Sequence, residues 1–166
     1  MTFPVRGAVP ADEPALARIA HDAWTPDGSV LARPDRDGPF FRDPAGPENV
    51  LVAENSGEPV GSARLVPGPE VQPKCPAAVQ HVQEIWSLSV VPEHQGRGAG
   101  TALLRAVRHE ALARAARRIT LRVLSTNPRA RDLYLAHGYA VEGVLRGEFF
   151  LQGRYVDDVL MALDLT

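Results

Sequence analysis

The segment Leu88-Ser89-Val90-Val91-Pro92-Glu93-His94-Gln95-Gly96-Arg97-Gly98-Ala99-Gly100-Thr101 joins an apolar strand pattern to a helical one through small residues. Glycines let a backbone approach a ligand closely, and the first N–H groups of the helix that follows point outward without intrahelical partners. The aligned peptide dipoles favour an anion there, so the chemistry of this turn is phosphate binding. Two nucleotide readings weaken on inspection. No lysine completes a Gly-Lys-Ser/Thr loop. Counting from Gly96, the third glycine of a dinucleotide fingerprint would be Thr101, and residues 116–119 (Ala, Arg, Arg, Ile) offer no acid for a ribose. Four residues before Leu88 stands Glu84. Strand alternation puts it on one face with Val82, Trp86, Leu88 and Val90. A carboxylate among apolar neighbours loses hydration, its pKa rises, and it becomes useful as a general base. Pairing with an arginine, or solvent at a strand edge, would also account for it; His81 is the second candidate base.

Other reactive residue types are dispersed. His21, His81, His94, His109 and His137 are scattered, and the single cysteine, Cys75, sits between Lys74 and Pro76 with no helix start behind it. A metal site, an internal disulfide and cysteine nucleophilic catalysis are therefore not expected. Arg114, Arg117 and Arg118 cluster where a helix should end and complement its dipole, as a solvated face or a contact to a phosphate.

These residues must be positioned by a domain of 166 residues, 45% hydrophobic and 23% charged, with net charge −2. That is one ordinary globular domain over residues 1–166. The charge balance excludes a chain whose task is neutralising nucleic-acid phosphates. No apolar run approaches the roughly 20 residues of a membrane span, and the N-terminus has no apolar signal core. A cytoplasmic protein is expected. Seventeen arginines against one lysine, with 15 prolines and 14 glycines, suggest a high-GC bacterial origin.

The chain reads as a strand near 3–8, then a helix that Asp12 can cap and Pro14 can open. Residues 24–49, rich in Pro, Gly and Asp, form a long connection with one or two short helical turns. Val50–Ala53 and Pro59–Val66 make a hairpin about Ser56-Gly57. A Pro-rich loop over 67–76 and a strand over 79–91 lead to the glycine turn. A helix over 98–116 carries the apolar stripe Leu103, Leu104, Val107, Ala111 and Leu112. A strand over 119–124 follows, then a helix capped by Ser125 or Asn127 and ended by His137-Gly138. Strands over 139–145 and 155–165 close the chain about Gln152-Gly153. The order predicts a mixed α/β fold.

The pattern Gln95-x-x-Gly98-x-Gly100, after a strand ending Val-x-Pro, resembles the signature of the GNAT N-acetyltransferase superfamily. Downstream, Asn127-Pro128-Arg129-Ala130-Arg131-Asp132-Leu133-Tyr134-Leu135-Ala136-His137-Gly138-Tyr139 resembles that family's later segment. Gly153-Arg154-Tyr155-Val156-Asp157-Asp158 resembles the start of its last strand. The resemblance implies a central, mixed, mostly antiparallel sheet of six to seven strands flanked by about four helices. It also implies acetyl-CoA as co-substrate, and no metal. Its residues would be Leu88, Ser89, Val90, Gln95, Gly96, Arg97, Gly98, Ala99, Gly100, Thr101, Asn127 and Arg131. In the family the strand over Leu88–Val90 carries a bulge and parts from its neighbour, and one freed N–H near Leu88 polarises the thioester. By the same resemblance Glu84 matches a glutamate that some members use as base. Tyr134 matches the tyrosine that protonates the departing thiolate.

The implied reaction is transfer of an acetyl group to a primary amine by direct attack in a ternary complex. A non-catalytic acyl-CoA sensor, or a transferase with a longer acyl donor, stays open. The connection over 24–49 holds Asp27, Asp35, Asp37, Asp43 and Glu48 against Arg33, Arg36 and Arg42, with Asp157 and Asp158 in the last strand. Mild acidity suits a cationic amine, such as an amino acid derivative, polyamine or aminoglycoside, although a solvated loop explains the same charges. The segment Gly153–Asp158 resembles members acting on small amines and amino acids more than those acting on protein N-termini. No nucleic-acid or membrane partner is expected. Exposed strands in the family often pair subunits, so a homodimer is a further expectation.

Overall fold

The computed structural model describes residues 2–42 and 46–166. Asp43, counted above among the acids of the long connection, lies outside them. Among the described residues seven strands form one sheet: β1 (Val5–Gly7), β2 (Val50–Asn55), β3 (Glu58–Pro67), β4 (Val82–Val90), β5 (Arg118–Leu124), β6 (Ala140–Leu151) and β7 (Arg154–Asp164). Their spatial order is β1-β2-β3-β4-β5-β7-β6. Every neighbouring pair is antiparallel except β4–β5, which is parallel. Among the described residues the α-helices are α1 (Glu13–Asp22), the single turn α2 (Gly68–Val71), α3 (Ala99–Ala113) and α4 (Pro128–Ala136).

Strand alternation sorts the apolar residues to two faces. On one, α3 lays Leu103, Leu104, Val107 and Ala111 against Ala63, Leu65, Ile85, Ile119, Leu121 and Met161; Leu112, expected in the same stripe, is exposed, because it stands about 100° round the helix from Ala111. On the other, Leu16, Ala17 and Ile19 of α1 meet Val50, Val52 and Phe40. Each fully buried leucine contributes ~1.5–3 kcal/mol. α4 adds Tyr134, with Ala130 and Leu133, to the α3 side.

The hairpins form as predicted. Ser56-Gly57 and Gln152-Gly153 have positive φ at both positions (52° and 83°, 50° and 77°), the primed geometry that matches strand twist. Other elements differ from expectation. The loop after β3 folds α2 and a short helical turn at Pro76–Val79, so β4 starts at Val82. β6 runs on to Leu151, because paired edge strands tolerate the register shifts found between Val141 and Gly143 and between Leu145 and Phe149. Asp12 does not cap α1. Its carboxylate is taken by Arg6 (2.7 and 2.9 Å) and by the Val9 N–H (2.8 Å).

Candidate active site

β4 and β5 pair only from Val82–Arg118 to Ile85–Leu121. Beyond that point β4 stays with β3 and β5 with β7, so the sheet splays. The cause is local. Arg64 pairs with Ser87 but Leu65 with Ile85, which makes Trp86 an extra residue in β4, a bulge that bends the strand.

The bulge also reverses the strand's facing, and this corrects one expectation. Leu88 and Val90 join Ile85 and the α3-side core. Glu84, one residue from Ile85 before the bulge, lies on the opposite face. Leu88 and Val90, predicted on the face of Glu84, are therefore on the other one. Its carboxyl is half-buried, burial pushes it above the usual glutamate range, and Arg122 on β5 opposes that shift.

The ladder phase fixes which backbone groups face the gap. Val91 N–H donates to Val60 O (2.9 Å). In that phase Ser89–Ser62 and Ser87–Arg64 share the bonds to β3, and the N–H and C=O of Leu88 and Val90 turn away from β3. The Val90 carbonyl accepts from Gln95 Nε2 (2.8 Å), while Gln95 Oε1 accepts from Arg129 (2.8 Å). The Gln95 side chain is thus a brace that ties the glycine turn to β4 and α4.

Gly96 and Gly98 have φ of +71° and +103°, values that side-chain-bearing residues rarely adopt. A Cβ on Gly98 would meet nothing within 4 Å, so backbone conformation and open approach explain the glycine. Gly98 is the N-cap of α3 with no side-chain cap. The amides of Ala99, Gly100 and Thr101 are consequently left for an outside acceptor. Arg97 stands in the same turn. Gly100 packs on α4, where a Cβ would lie 3.1 Å from Leu133 Cδ2.

The splay opens a cleft of about 820 Å³ between β4, β5, α4 and the connection after α1. Of the sequence-predicted site, Leu88, Ser89, Asn127 and Tyr134 line it. Asn127 caps α4 by accepting from Ala130 N (3.2 Å). Tyr134 is buried, and burial pushes its phenol up to about 12. Arg131 does not line the cleft; its Nε is buried with no partner. His81, the second candidate base, is exposed and lies away from the cleft beside Arg117, Arg118 and Asp164.

The basic cluster is placed at the far end of α3 from the glycine turn, about 22 Å for a 15-residue helix. That separation removes it as a contact to a phosphate held at the turn. Arg114 instead bonds Glu48 O, Asn49, Leu65 O and Gln83, and Arg118 pairs with Glu142. Among the described residues no group of three or more His, Cys, Asp or Glu could hold a metal. Likewise no helix is long and apolar enough to cross a membrane.

Sequence reading missed the floor of the cleft. Arg64, Arg122 and Phe40 line it unannounced, beside Trp86 and Asp158, which the sequence singles out. Asp158 is 2% exposed and accepts from Arg122 Nε (2.6 Å). A lone arginine in the apolar run of β3, Gly61-Ser62-Ala63-Arg64-Leu65-Val66, was the available signal.

Comparison with known proteins agrees with this geometry. A family model described as the acetyltransferase (GNAT) family matches residues 14–139. Spermidine N(1)-acetyltransferase of Vibrio cholerae is 38% identical over 78 residues, covering 46% of this chain and 45% of that protein. The chain spans about half the length of the curated relatives it matches. A GCN5-related N-acetyltransferase of Kribbella flavida superposes with TM-score 0.77 at 26% identity, covering 98% of both chains. An acetyltransferase of Salmonella typhimurium, solved with its cofactor acetyl-CoA, superposes with TM-score 0.76 at 23% identity over 100% of this chain and 95% of that one.

Proposed function

Because the chain belongs to the acetyltransferase (GNAT) family, we propose that it moves an acetyl group from acetyl-CoA to a primary amine by direct attack in a ternary complex. The observation that carries this reading is the splay of β4 from β5 at Trp86, with the glycine turn beyond its open end and Tyr134 in its wall. The left-handed Gly96 and Gly98 and the uncapped start of α3 suit a pyrophosphate. Acetyl-CoA, when bound, supplies a thioester whose carbonyl carbon gains a C–N bond as its C–S bond breaks.

The roles follow from position. The backbone of Gln95–Thr101 holds the diphosphate. The unshared groups of Leu88 and Val90 hold the amide-bearing arm as an added strand would, beside Ser89 and Asn127. Leu88 N–H serves as the donor to the developing oxyanion. Glu84 receives the amine's proton through water, since its carboxylate stands beside the cleft and not in its wall. Tyr134 gives its Oη proton to the departing sulfur. Arg131, on α4 outside the cleft wall, is kept as a cofactor contact by the family resemblance alone. The protein works in a bacterial cytoplasm. The exposed apolar side chains of β6 and its hairpin partner, including Val144, Phe150 and Tyr155, support pairing of two copies.

The test is acetyl-CoA turnover, read as free thiol, against amino acids, polyamines, aminoglycosides and short peptides. Amine-dependent release is expected. Thermal stabilisation by acetyl-CoA without release on any amine would overturn the enzyme in favour of a sensor.

A further inference from the structure

The cleft contains two arginines, Arg64 and Arg42, that pair with no carboxylate among the described residues. Arg64 projects from β3 on the α1 side, directly across from Ser87 of β4. Its guanidinium lies over the Phe40 ring, 4.0 Å from the centroid, and donates to Phe40 O. Its Nε is buried without a partner. Among the described residues neither Arg64 nor Arg42, the next arginine in the same wall, takes part in an ion pair; burial, and then the nearby Arg42, disfavour the charge on Arg64. The two carboxylates in the wall do not answer them. Asp158 is matched by Arg122. Asp35 is exposed on the connection and accepts the Asp37 N–H (3.2 Å).

A partly buried guanidinium without a counter-ion is costly unless a ligand supplies the charge. An aromatic face stabilises such a cation but does not neutralise it. Arginine's planar fork suits a carboxylate in particular. The donor's phosphates have their own seat at the glycine turn, beyond the end of β4, whereas Arg64 is level with Ser87 and next to the Leu88 amide.

We propose that Arg64, supported by Arg42, is the anion receptor of the acceptor site, and that the amine acetylated here carries a carboxylate, as an amino acid does. This rests on the acetyltransferase reading above and narrows it. Among the acceptors expected from sequence it selects the amino acid and displaces the polyamine and the aminoglycoside.

The test compares each of a set of amino acids with its own amide and its decarboxylated amine, with spermidine as a cation lacking an anion. The acid should exceed the amide about 10- to 100-fold in kcat/KM. Arg64→Gln should bring that ratio towards one, and Arg64→Lys should restore most of it. Circular dichroism and melting of both variants separate this from misfolding, since only the charge-preserving variant regains selectivity. Amides or spermidine matching the acids would overturn the proposal. So would a ratio unchanged in Arg64→Gln, or a rise in the KM for acetyl-CoA in its place. If no amine is turned over, the transferase reading fails separately, and binding to the CoA-loaded protein decides the anion site. Amino acids that raise the melting temperature of wild type but not of Arg64→Gln sustain it; equal shifts overturn it.

Discussion

Tyr134 is held protonated by burial, its phenol pushed up to about 12, so at neutral pH it can donate but not accept a proton. A free thiol has a pKa of about 8.5, so the transfer is uphill unless the cleft also dehydrates the sulfur and raises its basicity. Tyr134→Phe should therefore lower kcat ~10- to 100-fold while the KM for acetyl-CoA moves less than ~3-fold. Steady-state kinetics checks the split. Glu84 is shifted upward by burial, so its basic form is lost as pH falls through that raised value. Glu84→Gln should cost ~100-fold in kcat/KM near pH 7. The deficit should shrink towards the ammonium's own pKa of about 10, where the amine needs no base; a pH–rate profile of both proteins measures it. Residue type and motif are what single out Glu84 and Tyr134 in the sequence. The face on which Glu84 lies was not legible there, because one extra residue in β4 reverses every side chain after it. Arg64 escaped because its meaning depends on what fails to pair with it, and pairing is a property of the folded chain.

At the scale of elements, β4, the glycine turn and α3 act as one device. The bulge at Trp86 bends β4 away from β5, and the Gln95 side chain fixes the turn against the Val90 carbonyl. Gly98 at φ +103° aims the first amides of α3 outward. Gly98→Ala meets no atom within 4 Å, so its effect is conformational, ~1–2 kcal/mol of backbone strain. The expected outcome is a rise in the KM for acetyl-CoA of ~5- to 30-fold with a smaller change in kcat; titration of acetyl-CoA onto the variant checks it. This device was readable in advance because glycine spacing, a following helical stripe and a capping asparagine are local signals. The fold of the Pro-rich stretch after β3 was less so. α2 is one turn long, and Gly68 is wedged where a Cβ would lie 2.3 Å from Val79 O, a tertiary contact with no local sequence signature.

The whole molecule is a sheet covered on both faces and opened along one seam. α3 holds β1 to β5 together on one side, while α1 and the connection after it wall the cleft on the other. Element order made the sheet legible; the seam was expected only through family resemblance, since its residues are ordinary strand formers. Global stability should carry one clear acid signature. Arg6 bonds Asp12 and holds it below its ordinary 3.8. The unfolded chain then binds that proton more readily than the folded one, so this stabilisation is complete above pH ~4 and is lost as pH falls through the depressed value. Asp12→Asn should lower stability at pH 7 by ~1–3 kcal/mol and flatten the acid side of the curve, as denaturant titration from pH 7 to pH 3 would report. The central claim concerns the acetyl group itself. A single turnover of acetyl-labelled acetyl-CoA with excess amino acid, followed by mass spectrometry, locates the label most directly. The account predicts label on the amine nitrogen and none on the protein at any time. Label on a protein side chain, or released only as acetate, would contradict it.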